Sequence, residues 1–401
     1  MIWVILIVMN DKCKARLNWI NIAFFIATPI LTLVSLPLYI YFFDFLWADV
    51  ILFFVLFFLT MTSITCGYHR LFSHRAYKAH PIVKVIYLFF GAGTYEGSAI
   101  EWSSDHRIHH KYVDTDQDPY NAKKGFFWSH IGWVFYCHPA QRNYDNVKDL
   151  FADPLVRFQH KNYFSLSVFV AFILPTVIGI FYGSPLGGLI WGGLFRLVVG
   201  HHSTFLINSA AHFVGKKPFS SATTARDSWI IALFSWGEGY HNFHHTFAGD
   251  YRNGVRWYAF DPSKWIIFGL NKASLAWNLQ RTPEQIMWKT RIYEKEKTTR
   301  SFLMEKGEEM ALKFEETFKK ELHDLKEKML EKSHALTRIQ ESYKRWLLTA
   351  EQKIYSHKIK KKEKKDWRVE IKQKQIEARH FFKQYYKSIH QIMRELNRSY
   401  N

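Results

Sequence analysis

The stretch INIAFFIATPILTLVSLPLYIYFF (Ile20–Phe43) contains no charged side chain. Crossing a bilayer takes roughly 20 such residues in a helix. Three more stretches meet the same requirement: Asp49–Tyr68, Ser165–Tyr182 and Leu186–Asn208. The last carries Arg196, His201 and His202, and ionisable groups at membrane depth turn inward and mark a site. The hinges Asp44–Ala48 and Gly183–Pro185 hold no Lys or Arg, whereas Lys12, Lys14 and Arg16 precede the first span and basic residues fill the central segment and the tail. The positive-inside rule then places both termini and the central segment in the cytoplasm.

The rest of the composition divides the chain. Of 401 residues, 48% are hydrophobic and 18% aromatic, yet 54 Lys+Arg face 35 Asp+Glu. An apolar part and a charged part joined end to end account for both. The expected organisation is an N-terminal cytoplasmic or interfacial segment (1–19), a membrane domain (20–284, spans about 20–43, 49–68, 165–182 and 186–208) and a charged tail (285–401). The leading MIWVILIVM is too short to span and lacks preceding basic residues, so it does not read as a cleavable signal. It reads as an interfacial stub, or as a start-site artefact with Met9 as the first residue. Cys13, Cys66 and Cys137 are widely spaced, which argues against a disulfide framework, a zinc ribbon or an iron–sulfur cluster.

From Glu308 to Asn401 there is no glycine or proline, the composition of long solvated helix. Phe318, Leu322, Leu325, Met329, Leu336, Ile339, Tyr343, Trp346 and Ala350 recur at alternating spacings of four and three, with Lys332 filling the one charged slot, which fits a coiled-coil seam. Self-association and folding back on the protein both satisfy that pattern. The run KIKKKEKK (Lys358–Lys365) suits anionic lipid headgroups. Nucleic acid is not expected as a partner, because no binding motif accompanies the charge.

The chain holds 20 histidines, and two strings repeat H-x-x-H-H: SSDHRIHHK (Ser103–Lys111) and WGEGYHNFHHTF (Trp236–Phe247). Chance would produce such a pair on the order of 0.001 times. On a helix, positions i, i+3 and i+4 share a face, so His106, His109 and His110 project together, as do His241, His244 and His245. Six imidazoles exceed what one structural zinc needs. GYHRLFSHR (Gly67–Arg75) adds His69 and His74 at the end of the second span, and INSAAHF (Ile207–Phe213) adds Asn208 and His212 at the end of the fourth. An all-imidazole set of nine suits a pair of divalent transition metals, with iron, zinc and copper admissible. Asp105 and Glu238 stand where they can accept the second ring N–H of a ligand. His130, His138, His160, His201 and His202 belong to no cluster and are expected in ordinary hydrogen-bonded or surface roles.

With HRLFSH, HRIHH and HNFHH in order, NSAAH between the last two, and DTDQDP, GFFWSHIGW and GEGYHNFHHTF around them, the chain resembles the membrane fatty acyl desaturases of the Δ9 acyl-CoA type. The likeness runs from about Ile20 to Trp265 and leaves out the tail. It implies an all-α integral membrane fold, four spans under a cytoplasmic helical cap that holds two non-haem irons. It also implies an O2-dependent reaction that removes two hydrogens from adjacent methylenes to leave a cis double bond. By position, the iron ligands would be His69, His74, His106, His109, His110, His212, His241, His244 and His245, with Asn208 acting through a water. Trp102 and Thr204 match residues that line the bend of the acyl tunnel.

Animal acyl-CoA members place an Arg where this chain has Ser104, and a basic pair where it has Tyr136 and Cys137. Lys123 and Lys124 are the remaining candidates for contacts with CoA phosphates, and a membrane acyl-lipid is the alternative carrier. No haem signature, cysteine cluster or G-x-G-x-x-G fingerprint occurs, so electrons are expected from an external donor: a ferredoxin, a flavoprotein reductase or a separate cytochrome. On those grounds a bacterial inner membrane is expected rather than the endoplasmic reticulum. Two rival functions are a diiron hydroxylase or alkane monooxygenase, and a membrane metal-binding scaffold with an interaction tail.

Overall fold

The computed structural model describes residues 17–136, 144–306 and scattered positions between 312 and 391. The expected coiled-coil seam, the run Lys358–Lys365, the N-terminal MIWVILIVM, Cys13, Cys137 and His138 lie outside the described residues. The chain forms two compact units, one of Met1–Lys217 with Ala222–Arg281 and one of Pro218–Ser221 with Thr282–Asn401.

The first unit is helical. Helix α1 (Trp19–Phe42) starts at Asn18, whose side chain accepts from the Asn21 N–H. Pro29 and Pro37 lie inside it, and the Thr28 and Thr32 hydroxyls bond back to the Phe24 and Thr28 carbonyls. Only 17% of its apolar window is buried, so most of its surface is left for lipid. Helix α2 (Trp47–Thr62) continues through π-helical turns to Ser73, and 61% of its window is buried, which makes it the central span. Helices α3 (Pro81–Ala92) and α4 (Ala99–Tyr112) follow, then α5 (Phe126–His130), α6 (Pro154–Lys161) and α7 (Tyr163–Phe181).

Among the described residues, α1, Trp47–Ser73 and α7 are long and apolar enough to cross a membrane. The fourth expected span does not join them as one regular apolar helix. It rises through Pro185–Gly187, a π-helical Gly188–Phe195 and helix α8 (Arg196–Asn208). Arg196 is buried there and donates to the carbonyls of Gly93 (2.7 Å) and Gly192 (3.0 Å). At the other end of the spans, buried Asp49 accepts from the hydroxyls of Tyr39 and Tyr182, both at 2.8 Å.

Short helices complete the unit: α9 (Ala210–Phe213), α10 (Trp229–Phe234), α11 (His241–Thr246) and α12 (Pro262–Lys272). A two-residue antiparallel pair, β1 (Lys78–Ala79) with β2 (Ala276–Trp277), joins residues after the second span to the unit's last segment. The core runs through Tyr68, Tyr77, Tyr87, Ile100, Val147 and Ile267. Gly67 and Gly91 permit it: a Cβ on either would lie 2.7 Å from Tyr87 or 2.5 Å from Tyr68.

In the second unit, helix α13 (Glu284–Lys306) buries Met287, Trp288 and Ile292. The Tyr385 hydroxyl donates to Glu296, and the Arg291 guanidinium lies 5.6 Å over the Phe219 ring.

Candidate metal centre

His69 and His74 are five residues apart, a spacing that an α-helix would place on different faces. The chain between them is π-helical, and the His74 N–H donates to the His69 carbonyl at 3.1 Å, the i→i+5 bond of that geometry. The widened turn brings both rings to one side, 4.9 Å apart.

Helix α4 begins with a reciprocal cap between Ser98 and Glu101. Arg107 fixes its outer side through a two-pronged bond to Asp149 and donates to the carbonyls of Phe72 and Ser73, which anchors α4 to the end of the π-helical turn. The three histidines of α4 do not act as one face. His106 and His110 join His69, His74 and His244 in one group, while His109 joins His212, His241 and His245 in another; the ligand atoms within each group lie within 4.8 Å of one another. Positions i+3 and i+4 differ by about 100° around a helix, enough to serve two centres. Helix α11 mirrors the arrangement, giving His241 and His245 to the second group and His244 to the first. The groups adjoin, since the His110 and His245 rings stack at 4.3 Å.

His212 reaches its group from the far side of a break. Helix α8 ends at Asn208, Ser209 leaves helical geometry (φ −105°, ψ −86°), and α9 restarts at Ala210. The His212 Nδ1 lies 2.7 Å from the Thr224 hydroxyl, which in turn donates to Asp114.

Neighbouring carboxylates set the other rings. His69 Nδ1 lies 3.0 Å from Glu238, and His109 Nδ1 lies 2.8 Å from Asp118. Burial pushes the Glu238 carboxyl up, but Arg70 and His69 more than reverse this and bring it to about 2. Burial likewise raises Asp118 and His109 outweighs it, leaving the group below its usual range. Burial, with the other histidines acting the same way, holds His74, His106, His110, His241, His244 and His245 well below the ordinary histidine value. His212 is lowered to about 3, chiefly by burial. Neutral imidazoles keep lone pairs free to bind a cation.

The donor set fits a pair of metal ions. Ring nitrogens meet at 2.9 Å (His69 with His244), 2.8 Å (His74 with His106) and 2.9 Å (His110 with His244) in the first group, and at 3.2 Å (His109 with His245) and 3.0 Å (His241 with His245) in the second. Such crowding of lone pairs is relieved by a shared cation. His212 Nε2 is buried without a hydrogen-bond partner, a nitrogen still owed a ligand.

A cavity of about 630 Å³ runs up to this site, with His69 and His106 on its wall. Trp102 and Thr204 line it as well, and Trp102 stacks on His106 at 4.8 Å. Glu96 holds both, accepting from Trp102 Nε1 at 3.1 Å and from the Thr204 hydroxyl at 3.0 Å. Burial raises the Glu96 carboxyl to about 7, against the bonds from Thr204 and Trp102.

A fatty acid desaturase family model matches residues 45–276, more than half of the chain. This chain belongs to the fatty acid desaturase family. It is 45% identical over 237 residues to a probable acyl-CoA desaturase of Schizosaccharomyces pombe (59% of this chain, 50% of that one) and 44% identical over 237 residues to acyl-CoA desaturase 1 of Saccharomyces cerevisiae (59% and 46%). Against a Delta(9)-fatty-acid desaturase of Caenorhabditis elegans it is 37% identical over 245 residues, covering 60% of this chain and 72% of the other. The chain spans about half the length of the two yeast relatives. All three come from eukaryotes, so the expected bacterial inner membrane finds no support.

The fold places the nine sequence-predicted histidines in two groups, and Asn208 on the cavity wall. Glu238 bonds the His69 ring, whereas Asp105 lies on the cavity wall and Asp118 is the carboxylate that bonds a ring of the α4 histidines. Asp118 sits in DTDQDP, a quoted motif to which sequence reading gave no role. Glu96, Thr224 and Asp114 were also missed: Glu96 bonds Thr204 and Thr224 bonds Asp114 across more than a hundred residues, although Asp114 begins the same DTDQDP motif. Ser104 is buried and donates to Asn146 at 2.9 Å, so its side chain serves the cap's interior. Lys124 lies over the Trp128 ring and 3.9 Å from Asp116, beside a second cavity; neither it nor Lys123 lines the first.

Proposed function

We propose that the protein is an O2-dependent acyl-CoA desaturase that converts a saturated acyl chain to a cis-monounsaturated one at a non-haem diiron centre, with the bond at Δ9. The observation that carries this reading is the continuity of a largely apolar cavity with the five-histidine group: His69 and His106 are at once cavity wall and members of that group. When bound, two irons would activate molecular oxygen with two electrons from an external donor, the substrate supplying two hydrogens and solvent two protons, to give two waters. The iron ligands would be the nine histidines, with Asn208 acting through a water.

The chain's own residues position and exclude. Trp102 and Thr204, held by Glu96, shape the cavity beside the site so that one pair of methylenes is presented. Phe24, Phe25, Tyr95 and Phe205 keep water from the acyl chain. Glu238 and Asp118 fix the tautomers of His69 and His109. The names of the yeast relatives favour CoA as the carrier, with a membrane acyl-lipid as alternative and Lys123 and Lys124 as candidate phosphate contacts. The membrane domain has four spans, 186–208 included, with the site and both termini on the cytoplasmic side. The donor is a ferredoxin, a flavoprotein reductase or a separate cytochrome, and the tail beyond 284 is accessory.

The test is fatty-acid profiling by gas chromatography and mass spectrometry of cells expressing the intact chain or His244→Ala. New cis-monounsaturated acids that vanish in the variant are expected. Products heavier by one oxygen would instead establish a hydroxylase, and absence of both in cells given a matching donor would overturn the reading.

A further inference from the structure

His130 lies in GFFWSHIGW, outside both histidine groups, yet it touches the helix break that leads to His212. Its Nδ1 is 2.8 Å from the Ser209 hydroxyl, and its Nε2 is 3.0 Å from His202 Nδ1. The proton positions follow from Ser209. That hydroxyl donates to the Phe205 carbonyl at 2.8 Å, so it must accept from His130. His130 therefore carries its proton on Nδ1, and its Nε2 accepts from His202. Stacking on Phe126 at 5.6 Å and on His202 at 5.3 Å holds the ring plane. Burial and His202 keep the ring neutral, below the usual histidine range.

Ser209 is fully buried and is the residue at which α8 breaks before α9. Asn208 precedes it, and the His212 N–H donates to its carbonyl at 2.8 Å. Whatever fixes Ser209 fixes the direction in which Asn208 leaves one helix and His212 enters the next. The Ser209 N–H still donates to the Phe205 carbonyl at 3.0 Å, and the His130 bond to the hydroxyl adds a side-chain hold at the residue where helical geometry is lost.

We infer that His130 is a positioning residue of the four-histidine group: its Nδ1–H bond to Ser209 sets the helix break that aims His212 at the metal. The inference rests on the reading of that group as a metal site. Losing a partner behind a metal ligand costs about 10- to 100-fold in affinity. His130 acts one step further out, so the lower end applies.

The full-length protein, stripped of metal in detergent, would be titrated with Co²⁺ and followed by its visible absorption. Wild type is expected to take up two equivalents. In His130→Phe one equivalent should weaken about tenfold and the other should not change, with amide exchange faster only around Phe205–Val214. Ser209→Ala should behave likewise, and His130→Gln, whose side chain retains an N–H, should recover most of the loss. Two equivalents bound by His130→Phe with wild-type affinities would overturn the inference alone. Equal weakening of both equivalents in the Phe and Gln variants, with exchange raised throughout, would overturn it by making His130 a fold residue. A wild-type protein that bound no cobalt would remove the metal-centre reading and this inference with it.

Discussion

His69 Nδ1 lies 3.0 Å from one oxygen of Glu238, and Arg70, the next residue in the chain, holds the other oxygen at 2.8 Å. All three are buried, so the carboxylate has no solvent to share its charge with and must orient the ring. Glu238→Gln keeps the shape but leaves an amide that cannot accept on both sides. Its expected effect is a 10- to 100-fold loss of metal affinity in the five-histidine group, read by cobalt titration as weakening of one equivalent. Unchanged binding of both would show that His69 is oriented by packing alone.

The π-helical turn predicts an unusual sensitivity to length. Inserting one residue between the two histidines, such as an alanine after Leu71, would lengthen their spacing to six and rotate His74 by about 100° relative to His69. Conservative point changes at Leu71 would leave the register alone. The insertion is expected to abolish the five-histidine site and spare the other, so metal analysis should fall from two equivalents to one. Two retained equivalents would mean that the turn is not what brings His69 and His74 together.

Which parts of this site could be read from sequence follows from geometry. H-x-x-H-H is legible because its three positions crowd one side of an α-helix, and histidines of α4 and α11 share each of the two groups. Its division between two groups was not legible, since it depends on how the two helices face each other. His69 and His74 were singled out by their place at the end of the second span; nothing in GYHRLFSHR announces a π-helical turn. Asp118 and Glu96 act through partners that only tertiary folding supplies. The first three spans follow from uninterrupted apolar length, whereas 186–208 mixes glycines, Arg196 and two histidines and folds as a helix of changing pitch.

Glu96 gives a pH dependence. Burial raises its carboxyl to about 7 from an ordinary 4.5, so the folded protein binds this proton more tightly than the unfolded chain does. The stabilisation from the protonated form is complete below about pH 4.5 and is lost as pH rises through about 7. It amounts to about 3 kcal/mol. Glu96→Gln cannot ionise, keeps an acceptor for Trp102 and offers an N–H to Thr204. Melting temperatures of the two proteins should agree near pH 5, and the variant should melt higher at pH 8. A variant that tracks wild type across this range would show that Glu96 does not titrate there.

The last prediction concerns the tail. The desaturase family match ends at residue 276 and the last histidine of the two groups is His245, so among the described residues the grouped histidines and the cavity wall all precede Ser301. Truncation from Ser301 onward removes Tyr385, the partner of Glu296, and shortens α13 by its final turns. Within the second unit this exposes the Glu296 side of the helix, and proteolysis of α13 should quicken. Metal content should remain at two equivalents and the monounsaturated products should persist at wild-type chain length. A truncated protein that keeps both metals but makes no product would assign the tail to electron delivery or substrate access. One that loses both would make the tail part of the folding unit of the centre itself.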